Sequence, residues 1–385
     1  MAQFLHFKGV RNFVTHFTAL LALFSVVISC SKMNKARDFF TTPTAREQYE
    51  RDFDSDPAAY VQWKKTFENA LFDSITVTPP YFEAGKFTAP QNHIYTYNIS
   101  LNPGERLRTQ VQTDSLNPLV FIDLYRQKTD SVASYEHVKS ADFGDTEIQF
   151  ETEQPGIYKI LLQPEINSTS AFSIKIFTEP VYSFPVADRG NTAVQSMWGA
   201  TRDGGRRSHE GIDIFAPRGT PVVAATSGRV SSTGNKGLGG KQVWLRDSKR
   251  GNSLYYAHLD SIIARPGMRV KVGDTLGLVG NTGNARTTPP HLHFGVYKGY
   301  RGAQDPLPYV FKPSPPNEFI PKFNKTFLRA TGTANLRKGP STKAEIGSRA
   351  NTNDTLQFLG ETTDWYHTRL KDENFFIHKS LASPL

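Results

Sequence analysis

"PPHLHFGVY", residues 289–297, sets two histidines one residue apart inside a run of apolar and aromatic side chains. Read as a β-strand, its side chains alternate, so His291 and His293 leave one face while Leu292 and Phe294 leave the other. A same-face pair of imidazoles can hold a metal, or can sit on a half-buried strand with no chemistry to do. The choice depends on whether other ligand-type residues fall at workable spacings.

They do. "SHEGIDIF" places His209 and Asp213 four residues apart. That spacing shares a face on a helix, but Gly211 and the Ile212, Ile214, Phe215 pattern favour an extended chain, where an even separation also shares a face. "LYYAHLD" adds His258 in a further strand-like run. Four of the ten histidines thus fall in one Gly-rich region, each in a short β pattern. Two imidazoles and one carboxylate are the donor set a catalytic zinc takes when its fourth position stays open for water.

The surrounding chain supports a β-rich reading. At 385 residues it is long enough for two or three compact domains. The hydrophobic fraction of 38%, with 27 Phe and 15 Tyr against 4 Met and with abundant Gly and Pro, suits β modules rather than disorder or coiled coil. Net charge is +9 and the isoelectric point near 9.4, so polyanions are the natural partners: nucleic acid, anionic lipid or acidic envelope polymers. No nucleic-acid-binding motif and no dense Lys/Arg block interleaved with aromatics is present, which argues against the first.

The single cysteine is informative. Lys8 and Arg11 precede the apolar "FVTHFTALLALFSVVIS", which ends in "VISC" at Cys30; charge, apolar run and small residue follow the order of a secretory signal. The segment resembles a bacterial lipobox, which implies that Cys30 is acylated and becomes the new N-terminus. With no other cysteine, disulfides, thiolate zinc sites and a cysteine nucleophile are excluded from the mature chain.

After Cys30 two helical signals follow. "TARE" offers Thr44 and Glu47 as a capping box; "SDPAAYVQWKKTFENAL" has Asp56 as a cap, Pro57 in the first turn, and Tyr60, Trp63, Phe67 and Leu71 on one stripe. From about residue 85 the period changes to two. "YTYNISL", "LRTQV", "LVFIDLY", "GIYKILL" and "FSIKIF" read as strands of a β-sandwich, resembling the jelly-roll accessory domains of secreted bacterial peptidases. "TEPVYSFPVADRG" (178–190) reads as a linker and "KPSPPNEFIPK" as a proline-rich connector.

Jointly, "HEGIDI", "YYAHL" and "PPHLHFGVY", with "GTPVVAATSGRV", "PGMRVKVGDTLGLVGNTGN" and "GLGGKQVWL", resemble the motif set of the lysostaphin-type (LytM-like) zinc endopeptidases of bacterial peptidoglycan over roughly residues 188–300. The resemblance implies that His209, Asp213 and His293 hold Zn²⁺, with His258 and His291 as the catalytic pair beside it; which of the two is the base is left open. "RTTPPHLH" departs from the Thr-Gly or Ser-Gly before a single proline that is commoner in the family, a difference of loop shape. "ANLRKGPS" and "DWYHTRL" resemble a bacterial SH3-type barrel, with Phe375 and Phe376 where a Gly-Trp pair is usual. Trp365 and Tyr366 there are candidates for a peptide groove or for core.

The expected architecture is a mainly β multidomain chain: lipoprotein signal peptide 1–29, tether and helical neck 30–78, β-sandwich 80–180, antiparallel β peptidase domain 186–311 and SH3-type domain 325–385. The resemblance implies a lipid-anchored zinc endopeptidase of the cell envelope, on the outer-membrane or periplasmic side, cutting peptidoglycan crosslinks and binding no nucleic acid. The competing expectation is a non-catalytic wall-binding or amidase-activator protein of the same fold.

Overall fold

The computed structural model describes residues 43–52, 57–89, 93–114, 117–128, 134–321 and 325–385. Cys30, the leader before it and Asp56 lie outside the described residues. Among the described residues, no helix is long and apolar enough to cross a membrane. The chain is mainly antiparallel β, as its patterning predicts.

The helix Ala45–Asp52 opens on the expected capping box: Glu47 N–H donates to Thr44 Oγ1 (3.2 Å) and Thr44 N–H to Glu47 Oε2 (2.8 Å). The helix Pro57–Ala70 buries Trp63 from the predicted stripe completely. Trp63 packs edge-on against Phe121 at 5.6 Å and donates its indole N–H to Pro164 O at 2.9 Å. Just past the helix, the buried Lys159 ammonium donates to Leu71 O (2.8 Å) and to Asp73 O, pairing carbonyls of the turn that follows.

The sandwich faces one sheet (Tyr95–Leu101, Gly156–Pro164, Val120–Gln127, Tyr135–Ser140) against another (Tyr81–Phe87, Ser170–Pro180, Glu105–Thr113, Glu147–Glu151). Strict alternation sends Tyr95, Tyr97, Ile99 and Leu101 inward, and all four are fully buried with Leu107, Ile160 and Ile174. The strand Tyr81–Phe87 carries almost no alternation because nearly every residue in it is buried.

That strand also joins two modules. Its outer edge pairs antiparallel with Thr355–Glu361 of the C-terminal barrel (Ala84 with Glu361, Gly85 with Gly360), so one sheet runs through sandwich and barrel. A Cβ on Gly360 would collide with Glu83 Oε1 and lie 2.9 Å from Ala84 O, so glycine is what permits the close approach. Beside the pairing, fully buried Glu83 accepts from His367 Nδ1 (2.8 Å), from Tyr97 (3.1 Å) and from Tyr81. Trp365 and Phe376 join the sandwich core, while Tyr366 and Phe375 pack inside the barrel. Of the two roles left open for Trp365 and Tyr366, burial supports packing.

The region expected as the peptidase domain is built on an eight-stranded antiparallel sheet with the order Arg269–Val270, Gly228–Lys236, Gly240–Arg246, Ser253–Ala257, His291–Tyr297, Ile212–Phe215, Val194–Ser196, and with Ala303–Gln304 on the edge of His291–Tyr297. One face is core: Ile212, Ile214, Val243, Leu245, Leu254, Tyr256, Leu292, Phe294 and Val296 are all completely buried. The stretch expected as a linker belongs to this core. Tyr182 stacks on Tyr309 at 5.4 Å and donates to Asp247 Oδ2 at 2.9 Å, and Val186 bridges to Val222, because the apolar residues of "VYSFPV" have a surface to cover. The proline-rich connector is anchored too, by Phe319 edge-on to Phe82 (5.2 Å) and Glu318 paired with Lys175 (2.8 Å).

The sandwich and the eight-stranded sheet meet at Glu151. Its carboxylate accepts from Arg250 Nε (2.9 Å) and Nη2 (3.0 Å) and from Arg106 Nη2 (2.7 Å). Burial opposes its ionisation, but the two guanidinium groups win and hold its pKa down to about 2. A carboxyl depressed in the folded state lends stability above its ordinary value of 4.5 and loses it as pH falls toward about 2.

Two predictions follow from these joints. Glu151→Gln should lower the thermal midpoint at pH 7 and flatten its fall between pH 4.5 and 2 relative to wild type, measured by circular dichroism melts. Gly360→Ala should destabilise the chain by about 1–3 kcal/mol through overpacking, read from urea unfolding; an unchanged midpoint would mean the seam is looser than its backbone spacing implies.

Candidate metal centre

The face of the eight-stranded sheet opposite the core is a cleft of about 870 Å³. Asp213 and His293 are direct cross-strand partners in the antiparallel pairing of Ile212–Phe215 with His291–Tyr297, and Phe215 pairs with His291. Even spacing from that pairing places His291, His293 and Tyr297 on the cleft side. His209 enters from the segment before the strand, held by its N–H to Ala200 O (2.9 Å). Gly211 lets that segment pass close: a Cβ there would lie 2.6 Å from the His293 ring and 2.7 Å from Phe294 O.

Three donor atoms meet. His209 Nε2 is 3.1 Å from Asp213 Oδ1, His293 Nδ1 is 3.0 Å from the same oxygen, and the two nitrogens are 3.1 Å apart. His209 Nδ1 lies 2.8 Å from Met197 O, which only an N–H can satisfy, so its Nε2 presents a lone pair to the cluster. Without a cation the cluster would instead take up a proton: burial disfavours the Asp213 carboxylate, but a proton shared with His209 and His293 holds its pKa far below the usual carboxylate range. Burial lowers the His293 pKa, with Asp213 working the other way.

Lone pairs converging this closely repel unless a cation sits among them. A tetrahedral zinc with bonds of about 2.0 Å separates its ligand atoms by about 3.3 Å, close to the triangle observed. The donor set therefore fits zinc, and among the described residues it is the one cluster of His, Cys, Asp or Glu side chains arranged to hold a metal.

The other two histidines stand beside this triangle. His258 and His291 rings lie 5.1 Å apart, His258 is 5.8 Å from the His293 ring, and His291 Nε2 is 3.9 Å from Asp213 Oδ1. Each commits Nδ1–H to a backbone carbonyl, His258 to Thr282 O and His291 to Pro289 O, both at 2.9 Å. Each therefore keeps its lone pair on Nε2. Burial, then the neighbouring His293 and His291, push the His258 pKa down to about 4. His258 also holds a left-handed backbone, φ 62°, a strained conformation for a residue with a side chain.

All five residues singled out from the sequence are thus brought together. Arg202 was not legible: its Nη2 donates to Asp213 Oδ2 (3.0 Å) and Ser196 Oγ (2.6 Å), holding the carboxylate so that one oxygen faces the histidines. No spacing rule links it to Asp213. Tyr297 was legible in principle, since it lies an even number of residues from His293 on one strand. The residues lining the cleft all come from between positions 196 and 297, so among the described residues neither sandwich nor barrel occludes it.

Residues 207–306 match Peptidase family M23, and residues 332–379 match the bacterial SH3 domain. Over 140 residues the chain is 36% identical to the L-Ala--D-Glu endopeptidase of Bacillus subtilis, covering 34% of this chain and 43% of that protein. It is 37% identical over 105 residues to the peptidoglycan DD-endopeptidase ShyC of Vibrio cholerae, covering 26% and 24%. With the glycyl-glycine endopeptidase ALE-1 of Staphylococcus capitis it shares 36% over 108 residues, covering 27% and 29%. The chain spans less than half the length of each of these relatives. The region that holds the donor triangle thus resembles Peptidase family M23 and the C-terminal barrel a bacterial SH3 domain, and the former is similar to endopeptidases that include lysostaphin.

Proposed function

We propose that this chain is a lipid-anchored zinc endopeptidase of the bacterial envelope that hydrolyses peptide crosslinks of peptidoglycan. The observation that carries the reading is the close triangle of His209, Asp213 and His293 with two further imidazoles beside it in an open cleft. The three relatives are all endopeptidases, and they differ in the bond named.

Held by His209, Asp213 and His293, zinc would supply Lewis acidity, making water a nucleophile near neutral pH and polarising an amide carbonyl. The residues of the chain do the rest. Asp213, fixed through its second oxygen by Arg202, keeps the donor triangle in place. His258 and His291, each with Nε2 free of a proton, are the groups that accept the proton of the attacking water and pass it to the departing amine. As the water oxygen bonds to the carbonyl carbon, the carbon–nitrogen bond breaks and the amine leaves with that proton. An imidazole that has taken up a proton becomes a donor to the negative oxygen formed on the way.

Anchoring is inferred from the order of charge, apolar run, small residue and cysteine ending at Cys30, together with the two or more acyl chains that stable attachment needs. The net charge of +9 suits an acidic envelope polymer. The bacterial SH3 domain is consistent with wall binding.

Purified sacculi incubated with the full chain should release peptide fragments identifiable by mass spectrometry, and a chelator should abolish release until zinc is restored. No release with zinc bound and all five residues intact would favour the non-catalytic wall-binding or activator reading. His209→Ala should lose both zinc and hydrolysis, while His291→Ala should retain stoichiometric zinc and lose turnover by about 10²-fold or more, measured by metal analysis alongside the digest. Hydrolysis surviving in His209→Ala would refute the assignment of the triangle.

A further inference from the structure

Arg269 pairs directly with Arg229, and Arg229 with Arg246, across the three antiparallel strands Arg269–Val270, Gly228–Lys236 and Gly240–Arg246. Direct cross-strand partners share a face and stand about 5 Å apart at Cβ, so the register sets three guanidinium groups in one row. Val270, Val230 and Leu245, the neighbours of these arginines along each strand, are buried, which turns the row away from the core and into solvent. Two of the three reach only neutral groups: Arg229 Nε donates to Gly267 O at 3.2 Å, and Arg246 Nη1 to Ser253 Oγ at 3.1 Å. Among the described residues none of the row makes an ion pair, and neither do the exposed Arg265 and Lys271 close by in the chain. Like charges set directly opposite destabilise a sheet, so the fold gains nothing from this arrangement. A charge on the edge strand Arg269–Val270 guards that edge against stray pairing, but Arg229 and Arg246 stand on interior strands.

The same edge exposes apolar side chains. Met268 precedes the strand Arg269–Val270 and Val272 follows it by one residue, and they are 40% and 51% exposed. Both belong to tight turns: Met268 N–H donates to Arg265 O (3.0 Å), and Asp274 N–H to Lys271 O (3.1 Å). Gly267 and Gly273 supply the left-handed backbone these turns need, with φ of 85° and 90°. Met268 O also accepts from Val230 N–H at 2.9 Å, so the first turn is tied to the sheet. In "RPGMRVKV" (265–272), unpaired cations thus alternate with apolar side chains on a backbone already fixed. That mixture suits a surface with anionic headgroups above hydrocarbon. A soluble polyanion would satisfy the guanidinium groups and leave Met268 and Val272 in water.

We propose that this edge of the eight-stranded sheet docks on an anionic phospholipid surface, with Arg229, Arg246 and Arg269 on headgroup phosphates and Met268 and Val272 reaching the acyl boundary. The contact is separate from the donor triangle. Arg246 pairs with Ser253, and Ser253 with Tyr297, so the row shares the cleft face but sits toward the other end of the strands. At ordinary strand and residue spacings the row lies roughly 15–25 Å from His293. None of the five docking residues lines the cleft. The inference requires neither hydrolysis nor acylation of Cys30, and it gives the chain a second hold on a membrane that acts through the folded sheet.

The test uses the full chain with Cys30→Ser, so that no arm is acylated and residues 1–29 are common to all. Co-sedimentation with vesicles of neutral phosphatidylcholine is compared with vesicles that also contain phosphatidylglycerol. Partitioning should be stronger on the anionic vesicles and weaken as salt is raised. It should fall about fivefold for each of Arg229→Gln, Arg246→Gln and Arg269→Gln, and on the order of 10²-fold for the three together, in variants whose circular dichroism matches the parent. Arg229→Lys, Arg246→Lys and Arg269→Lys combined should keep it. Met268→Ser with Val272→Ser should lower it about tenfold, at high salt as well as low. A Met268→Trp variant should gain emission that brominated phosphatidylglycerol quenches. Undiminished partitioning in the triple glutamine variant, or added emission that brominated lipid leaves untouched, would overturn the proposal. So would binding to soluble poly(glycerol phosphate) as tight as to anionic vesicles with the double serine variant unimpaired, which would assign the row to an acidic polymer. All of these outcomes leave the hydrolase reading where it stands, since none of them measures cleavage.

Discussion

Asp213 faces His293 across one antiparallel register, and nearly everything at the site follows from that pairing. The two strands present Ile212, Ile214, Leu292 and Phe294 to the core and the ligand-type residues to the cleft. Because the side-chain period of a strand is two, a slip of one residue would send Asp213 into the apolar layer and bring an isoleucine to the metal position. The core therefore locks the chemistry: burying four large apolar side chains on one face is what holds a carboxylate within 3.0 Å of an imidazole on the other. The outer contacts complete the geometry rather than create it. Met197, Thr282 and Pro289 lend carbonyls that decide which nitrogen of each ring keeps its lone pair, and Arg202 settles which oxygen of Asp213 turns inward.

Much of this was legible from local pattern. Alternation in "HLHFGVY" and "GIDIF" is enough to sort core from cleft, and the five candidate residues converge as their spacings and the family resemblance imply. The strands Tyr95–Leu101, Gly156–Pro164 and Ser170–Pro180 were readable for the same reason: one face dry, one face wet. Where both faces are dry the signal vanishes, which is why Tyr81–Phe87, holding a glutamate and a glycine between two modules, does not announce itself as a strand. Nor could Glu83 and His367 be matched in advance. They are 284 residues apart, and nothing in either neighbourhood marks the other as its partner. Arg202 is hidden for a related reason, since a guanidinium on a short hairpin has no periodic relation to the strand it serves.

The segments between modules show a third kind of limit. "TEPVYSFPVADRG" has the prolines and polar flanks of a connector, yet Tyr182 and Val186 are buried in the core beneath the eight-stranded sheet. Composition reports that a stretch cannot be a regular helix or strand; it does not report whether a neighbouring surface needs covering. The same holds for Phe319, an isolated aromatic in a proline-rich run that finds Phe82.

The sheet shared by sandwich and barrel has a consequence for how the molecule can be taken apart. By family resemblance the C-terminal residues form a separable cassette, but its strand Thr355–Glu361 closes the edge of Tyr81–Phe87, and Trp365 and Phe376 fill the neighbour's interior. Excising the cassette would strip a row of backbone groups of their partners and uncover aromatic surface beside them, the combination that makes free sheet edges stick to one another. The two folds are thus grammatically distinct words fused by a common syllable, and neither can be spoken cleanly alone.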